Sequence, residues 1–330
     1  MHREPTGAWS APTHATLLVL KALALPRIGV ATIRRFAAQA DPDQLKAVSP
    51  IEVAAVAGIT APAIHDMDRA DREVAELVGR CEDLSIEIIS VADRDYPPRL
   101  KELSDYPPVL FIKGDRRALF RWPCIAVVGT RQASALGLQW GQKMAKALAD
   151  NGFTTVSGLA LGIDAAAHRG ALDARGRTVA VMAHGLHIVA PASHKNLAGE
   201  ILESGGALVS EHPPGVPPRP AEFVRRNRIQ SGLSFASIVV ESGREGGAIH
   251  QARFTRDQGR LLYAAMPDEE AITKHTYNAE GSRFLIGELN ATPISGQEQL
   301  VTELARIKEL AFEQPRTIDP DSQMALFDGQ

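Results

Sequence analysis

"VVGTRQASALG", Val127 to Gly137, decides how this chain is read. An apolar run enters Gly129, Thr130 and Arg131 follow, and Ser134 precedes a segment with helical spacing. A strand that passes through a glycine turn into a helix is the repeating unit of an open α/β sheet. The same rhythm returns from Cys124 to about Met266. "CIAVVG", "TTVSG", "TVAVMA", "ALVSE", "SIVVES" and "LLYAAM" are β-rich runs with amphipathic stretches between them. This alternation predicts a parallel sheet wrapped by helices.

Four of those runs end in a glycine-bearing loop: "VVGTRQASALG", "VSGLALGID", "VMAHGLHIVAP" and "VESGREGGAIHQA". Loops at the carboxyl ends of parallel strands line one crevice, so all four are expected to face one ligand. Glycine lets backbone approach a ligand closely, and helix starts after Ser134, Asp164 and Gly246 offer free N–H groups and a positive dipole end. That chemistry suits an anion, most plainly a phosphate, for which Arg131 supplies a forked cation. The plainer alternative is that the glycines only permit tight turns. No G-x-x-x-x-G-K-[ST] is present and the first loop is not G-x-G-x-x-G, which argues against a P-loop or a dinucleotide site. In "PAEFVRRNRIQSGLS", Arg225, Arg226 and Arg228 cannot share one helical face, so one is expected beside Arg131 and others in structural ion pairs.

Outside this region the chain is organised simply. From about Thr13 to Arg80 apolar residues recur at helical spacing, which predicts a small all-α unit. Its turn "LPRIG", Leu25 to Gly29, has the look of a helix-hairpin-helix turn, either a phosphate contact or plain helix packing. "SIEIISVADRDYPPRLKELSDYPPVLFIKGD" reads as a linker with two β-like runs that packs on the main domain. A helix is expected over Gln297 to Phe312, then a polar tail. The resulting division is a helical domain 1–82, a sheet domain 83–295 that includes the linker, and a C-terminal helix with flexible tail 296–330.

A net charge of -3 and a hydrophobic fraction of 45% fit a folded protein whose polyanion site is local. Two cysteines fit a reducing compartment. No signal-like segment or membrane-length apolar run is visible, so a cytoplasmic protein without membrane contact is expected.

With these motifs in place, the chain resembles the DNA-processing protein A family (DprA, also called Smf). The matching stretches are "VVGTRQASALG", "TVSGLALGIDAAAHRGAL", "GRTVAVMAHGL", "GALVSEHPPG", "FVRRNRIQSGLS", "SIVVES" and "DYPPRLKELSDYPPVLFIKGD", from roughly Thr13 to Ile294. The resemblance implies an α/β fold: an extended Rossmann-like parallel sheet with helices on both faces, behind a small all-α (SAM or helix-hairpin-helix-like) domain. It also implies a non-catalytic protein without cofactor or metal that binds single-stranded DNA, forms a homodimer, and hands the strand to the recombinase RecA in recombination or natural transformation. Carried onto this sequence, the pocket would use Gly129, Arg131, Ser134, Ser157, Gly158, Gly162, Asp164, His168, Arg226, Asn227 and Arg228. Thr130 keeps a hydroxyl where the family usually has serine. Gly246 and Gly247 stand in an altered fourth loop, "REGGAIHQA". "AMPDEE" brings Asp268, Glu269 and Glu270 toward the rim, where carboxylates facing DNA would repel it. The family's C-terminal winged helix is expected to be missing.

The tail carries "QMALF", in which Gln323, Leu326 and Phe327 resemble the peptide that bacterial proteins insert into the polymerase sliding clamp. One alternative function is therefore an antitoxin of a phage-defence module, paired with a neighbouring toxin and tethered to the clamp. Another is a nucleotide-binding or nucleotide-hydrolysing enzyme, with Asp164 and His168 in acid/base roles rather than as an N-cap and pocket structure, and with turnover of nucleoside monophosphates lost on changing Asp164 or Glu241. His184, His187 and His194 cluster in sequence without a metal-ligand motif.

Overall fold

The computed structural model describes residues 9–40, 49–56, 58–59, 62–120 and 123–313. Its strands are β1 (Glu87–Ser90), β2 (Val109–Gly114), β3 (Cys124–Val128), β4 (Thr154–Ser157), β5 (Thr178–Val181), β6 (Ala207–Ser210), β7 (Ala236–Val239), β8 (Leu261–Ala265) and β9 (Thr292–Ile294). They form one sheet in the order β1-β2-β6-β5-β4-β3-β7-β8-β9. The seven strands from β6 to β9 run parallel, and β2 and β1 extend that sheet antiparallel.

The described helices are α1 (His14–Ala24), α2 (Val30–Gln39), α3 (Pro50–Val56), α4 (Ile64–Asp83), α5 (Pro98–Lys101), α6 (Ala135–Asp150), α7 (Ile163–Asp173), α8 (Lys195–Glu203), α9 (Pro220–Leu233), α10 (Gly247–Asp257), α11 (Glu269–Lys274), α12 (Glu280–Leu289) and α13 (Gln297–Glu313). Strands β3 to β7 are buried at every position, as expected of parallel strands covered on both faces. Ile125 and Val127 point into a cluster with Met144, Leu148, Leu300, Leu304 and Ile307 of α6 and α13. Ala126, Val156 and Val179 point the other way, toward Ile229 and Leu233 of α9.

All six strands anticipated between Cys124 and Met266 are present. The two β-like runs of the linker are β1 and β2, integral strands of the sheet rather than a segment laid upon it. β9 went unanticipated because it is three residues long and contains Pro293.

The helical N-terminal region shares a core with the sheet. Val19 and Leu20 of α1 and Val74 and Cys81 of α4 pack in one cluster with Ile88, Phe111 and Leu208 of β1, β2 and β6. A polar latch accompanies this packing: buried Asp93 accepts hydrogen bonds from the Thr13 hydroxyl at 2.5 Å, the Thr16 hydroxyl at 2.5 Å and the Ser90 amide at 2.6 Å. Arg34 of α2 adds bonds to the Tyr106 and Asp105 carbonyls.

Candidate nucleic-acid interface

The four glycine loops follow β3, β4, β5 and β7, four adjacent strands, so they meet along one edge of the sheet. Strand order reverses between β3 and β7, and the crevice at such a switch point is where open α/β sheets hold ligands. The stretch Val127–Gly137 leads directly into it.

Gly129 leaves no room for a side chain, since a Cβ there would lie 2.5 Å from Ile163 and 2.8 Å from the Glu241 carbonyl. The Thr130 amide donates to that carbonyl at 2.7 Å, and the Thr130 carbonyl accepts from the Ile163 amide at 3.2 Å. Thr130 thereby ties the start of the loop to the segment after β7 and to Ile163. Arg131 at its tip is exposed, with its guanidinium 5.3 Å from the Phe223 ring centre. Ser134 caps α6 by accepting from the Gly137 amide at 3.0 Å, and its own amide and hydroxyl donate to Glu241.

The second loop is held from beneath. The Ser157 hydroxyl donates to the Val127 carbonyl at 2.7 Å. The N-cap of α7 is Gly162 rather than Asp164, and its φ of 76° and the 2.3 Å from a would-be Cβ to the Thr130 carbonyl both call for glycine. Asp164, one position into the helix, turns back to accept from the Gly158 amide at 3.1 Å. Burial raises its carboxyl above the usual range, against the pull of Arg226 and of backbone and hydroxyl donors. His168 is fully buried. Its Nε2 accepts from the Leu159 amide at 3.3 Å, and its Nδ1 lies 2.7 Å from the Thr178 hydroxyl, whose proton goes to the Thr155 carbonyl. That network assigns a neutral ring protonated on Nδ1. Burial, His194 and Arg226 push its pKa down to about 3.

The arginines of α9 separate. Arg226 is buried, and its guanidinium donates to the Gly158 carbonyl at 3.1 Å and to the Val181 carbonyl, bridging the ends of β4 and β5. Burial lowers its pKa to about 10, which Asp164 opposes and Arg131 reinforces. Arg131 and Arg226 thus form one positive locus. Two positions along a helix turn a side chain by about 200°, and Arg228 meets Glu211 at 2.6 Å and Asp105 at 3.0 Å instead. Arg225 is exposed, 3.9 Å from both Glu211 and Glu222. The Asn227 amide donates to the Gly247 carbonyl at 3.1 Å and so holds the fourth loop. Gly246 caps α10 with no side-chain hydrogen bond, and nothing lies within 4 Å of a Cβ placed on Gly246 or Gly247. This helix head is open.

Two of the three acidic rim residues have local duties, and Glu270 is exposed. Asp268 caps α11 through the Ala271 amide at 2.7 Å, and Glu269 is held by Arg283 at 2.8 Å. Nδ1 of His184 and of His187 both lie against the Gly185 carbonyl, while Nδ1 of His194 lies against that of Leu159, so the three do not gather as one ligand set. Among the described residues, the atoms that do gather at metal-ligand spacing are those of Glu211, His212 and Glu222, with Arg228 and Arg225 beside them. The site residue missed in the sequence is Phe223, while Glu241 is named there only for the nucleotide-hydrolysing alternative and not as the partner of Ser134. Phe223 had a signal, an aromatic residue just ahead of the arginine run. The clamp-like residues Gln323, Leu326 and Phe327 lie outside the described residues.

The sequence profile of the DNA recombination-mediator protein A family matches residues 87–305, well over half of the chain. The chain belongs to that family. Among its relatives, protein Smf of Escherichia coli is 46% identical over 169 residues, 51% of this chain and 45% of that protein. Protein Smf of Synechocystis is 36% identical over 240 residues, 72% of this chain and 58% of that protein. The matches thus span about half the length of these curated relatives. In structure, this family member superposes on DNA processing protein A of Streptococcus pneumoniae with a TM-score of 0.71 at 27% identity, over 87% of this chain and 97% of the other. DNA processing protein A of Helicobacter pylori shares the fold, with a TM-score of 0.58 at 24% identity over 66% of this chain and 96% of that one. No described helix is long and apolar enough to cross a membrane.

Proposed function

We propose that this family member binds single-stranded DNA along the crevice at the β5-β4-β3-β7 edge, as a non-catalytic DNA-handling protein of recombination or natural transformation. The observation that carries this reading is exposed Arg131 over Phe223, beside buried Arg226, at the switch point of the sheet. A cation for a backbone phosphate next to an aromatic face for a base is the pairing that single strands use. The open head of α10 and the family membership support it, and the Helicobacter pylori neighbour is described as binding single-stranded DNA. Burial of His168 and engagement of Asp164 speak against acid/base catalysis there.

Within the same reading, the chain forms a homodimer and the strand is handed to RecA, as the family resemblance implies. The tail motif adds a tether to the sliding clamp, which deletion of residues 323–330 should abolish in a clamp pull-down without changing the fold. A neighbouring toxin partner belongs to the alternative antitoxin reading, and gene neighbourhood discriminates the two.

The direct experiment is fluorescence anisotropy of a labelled oligonucleotide across a salt series. Wild type should bind with steep salt dependence. Arg131→Ala should reduce the log–log salt slope by about one, and Phe223→Ala should weaken binding while leaving the slope. Arg228→Ala is no probe of contact, because it strands Glu211 and Asp105. Salt-insensitive binding, or none by wild type, would refute the proposal.

A further inference from the structure

In an open α/β sheet, the helix that follows the first strand at the switch point normally offers its N-terminal N–H groups and dipole to a ligand phosphate. In this protein that helix is α6, and its head is filled from within. Glu241, just beyond β7 and 2% exposed, turns its carboxylate into the position. Oε2 accepts from the Ser134 amide at 2.9 Å and the Ser134 hydroxyl at 3.0 Å, and Oε1 accepts from the Asn278 amide at 2.9 Å. The surroundings are shaped to it. Gly137 is the residue against the carboxylate, and a Cβ there would lie 1.9 Å from Oε2. Among the described residues no Lys or Arg side chain pairs with Glu241, so backbone N–H groups and one hydroxyl carry its charge. The Ser134 amide and hydroxyl are donors that a phosphate at this helix head would otherwise take.

We propose that Glu241 is a built-in anion that closes the phosphate site at the head of α6, and so sets what the crevice accepts. A mononucleotide or free phosphate brought to that helix head meets a buried like charge, with the Ser134 amide and hydroxyl and the Gly137 amide already engaged. The head of α10, uncapped and open above Gly246 and Gly247, and the Arg131–Phe223 pair remain available. The protein is thereby directed away from free nucleotides and toward a strand lying along the outer side of the crevice. Glu241 is a positioning and specificity residue, and the inference rests on the single-strand reading above only for the identity of that outer ligand.

The test is anion rescue of the full chain, read as Tm in buffers with and without formate, inorganic phosphate or AMP. Glu241→Ala should lose stability and regain at least half of the lost Tm when any of these anions is added at millimolar concentration. Wild type and Glu241→Gln, whose space is filled, should not respond. Folding of the alanine variant only in the presence of formate would support the proposal equally. An alanine variant indifferent to anions, or a wild type stabilised as much as the variant, would overturn it. If the alanine variant folds under no condition, Glu241→Gln decides: a marked fall in Tm supports a required charge, and a wild-type Tm overturns it. Oligonucleotide binding of wild type is measured in parallel, so loss of the DNA reading leaves the anion result standing.

Discussion

At the scale of single residues, the side chains with the most obvious chemistry serve as framework. His168 is the clearest, a neutral imidazole with both ring nitrogens engaged and no exposure. Its pKa is about 3 when folded, against an ordinary value of 6.5. Between those values the unfolded chain binds the proton and the folded chain does not, so the stabilisation is complete above about pH 6.5 and is lost as pH falls toward 3. The slope contributed is at most about 1.4 kcal/mol per pH unit. Asp164, shifted up by burial, works in the opposite sense wherever its folded form holds the proton and its unfolded form does not. Denaturant titrations should therefore show wild type losing stability from pH 6.5 downward, with His168→Gln weaker at pH 7 but flatter through that range. Parallel curves for the two proteins would mean that His168 does not carry this dependence.

The residue scale is also where the sequence was least legible. Arg131 could be picked out because its loop is local, within ten residues of strand and helix. The partners of Arg228 could not, since Asp105 precedes it by more than a hundred positions and Glu211 lies on another strand's end. Glu241 meets Ser134 across 107 residues. Contacts of that kind follow from strand order, which no local pattern encodes. The N-cap assignment at Asp164 failed for a different reason. Glycine at position 162 allows the chain to enter the helix two residues earlier, which frees the carboxylate to bind the Gly158 amide.

At the scale of elements, α6 and α7 show how small residues set distance. Gly170 faces the α6 backbone so closely that a Cβ would lie 2.1 Å from the Gln142 carbonyl. Gly141 of α6 faces Ala166 and Ile163 of α7, so the two helices meet small side against small side. Because Ser134 stands at the head of α6 and Asp164 at the head of α7, the spacing of these helices bears on the width of the crevice. Gly170→Ala should cost about 1–3 kcal/mol by overpacking and weaken oligonucleotide binding without touching the ligand. Unchanged stability and affinity together would show that the pair tolerates separation. The helices and strands themselves were legible because their apolar residues recur with clear periods. β1 and β2 were visible as runs, but their antiparallel pairing was not, since pairing direction depends on the route of the Tyr-Pro-Pro segments between them.

At the scale of the whole molecule, the helical region and the sheet share one core. The face of β1, β2 and β6 bearing Ile88, Phe111 and Leu208 is covered by α1 and α4, and Asp93 ties Thr13 and Thr16 to the turn after β1. A chain begun at Leu84 would present that apolar face to water. It should be recovered mainly as aggregate, and the intact protein should unfold in one transition rather than two. A soluble, monodisperse fragment with an independent transition would contradict this account.

The head of α10 has a further consequence. Gly246 and Gly247 face open space, and the described side-chain bond to this turn is that of Asn227 to the Gly247 carbonyl. Exposed residues Arg244 and Glu245 lie beside them. Replacements at Arg244, Glu245 or Gly247 disturb little of the core, whereas Gly246, at a φ of 149°, keeps its glycine, and replacements at Gly129, Gly137 or Gly162 collide with backbone or with a buried carboxylate. Over generations, then, the rim of the crevice is free to drift toward new ligands while its floor is held nearly constant, and divergence among lineages should accumulate in this turn first.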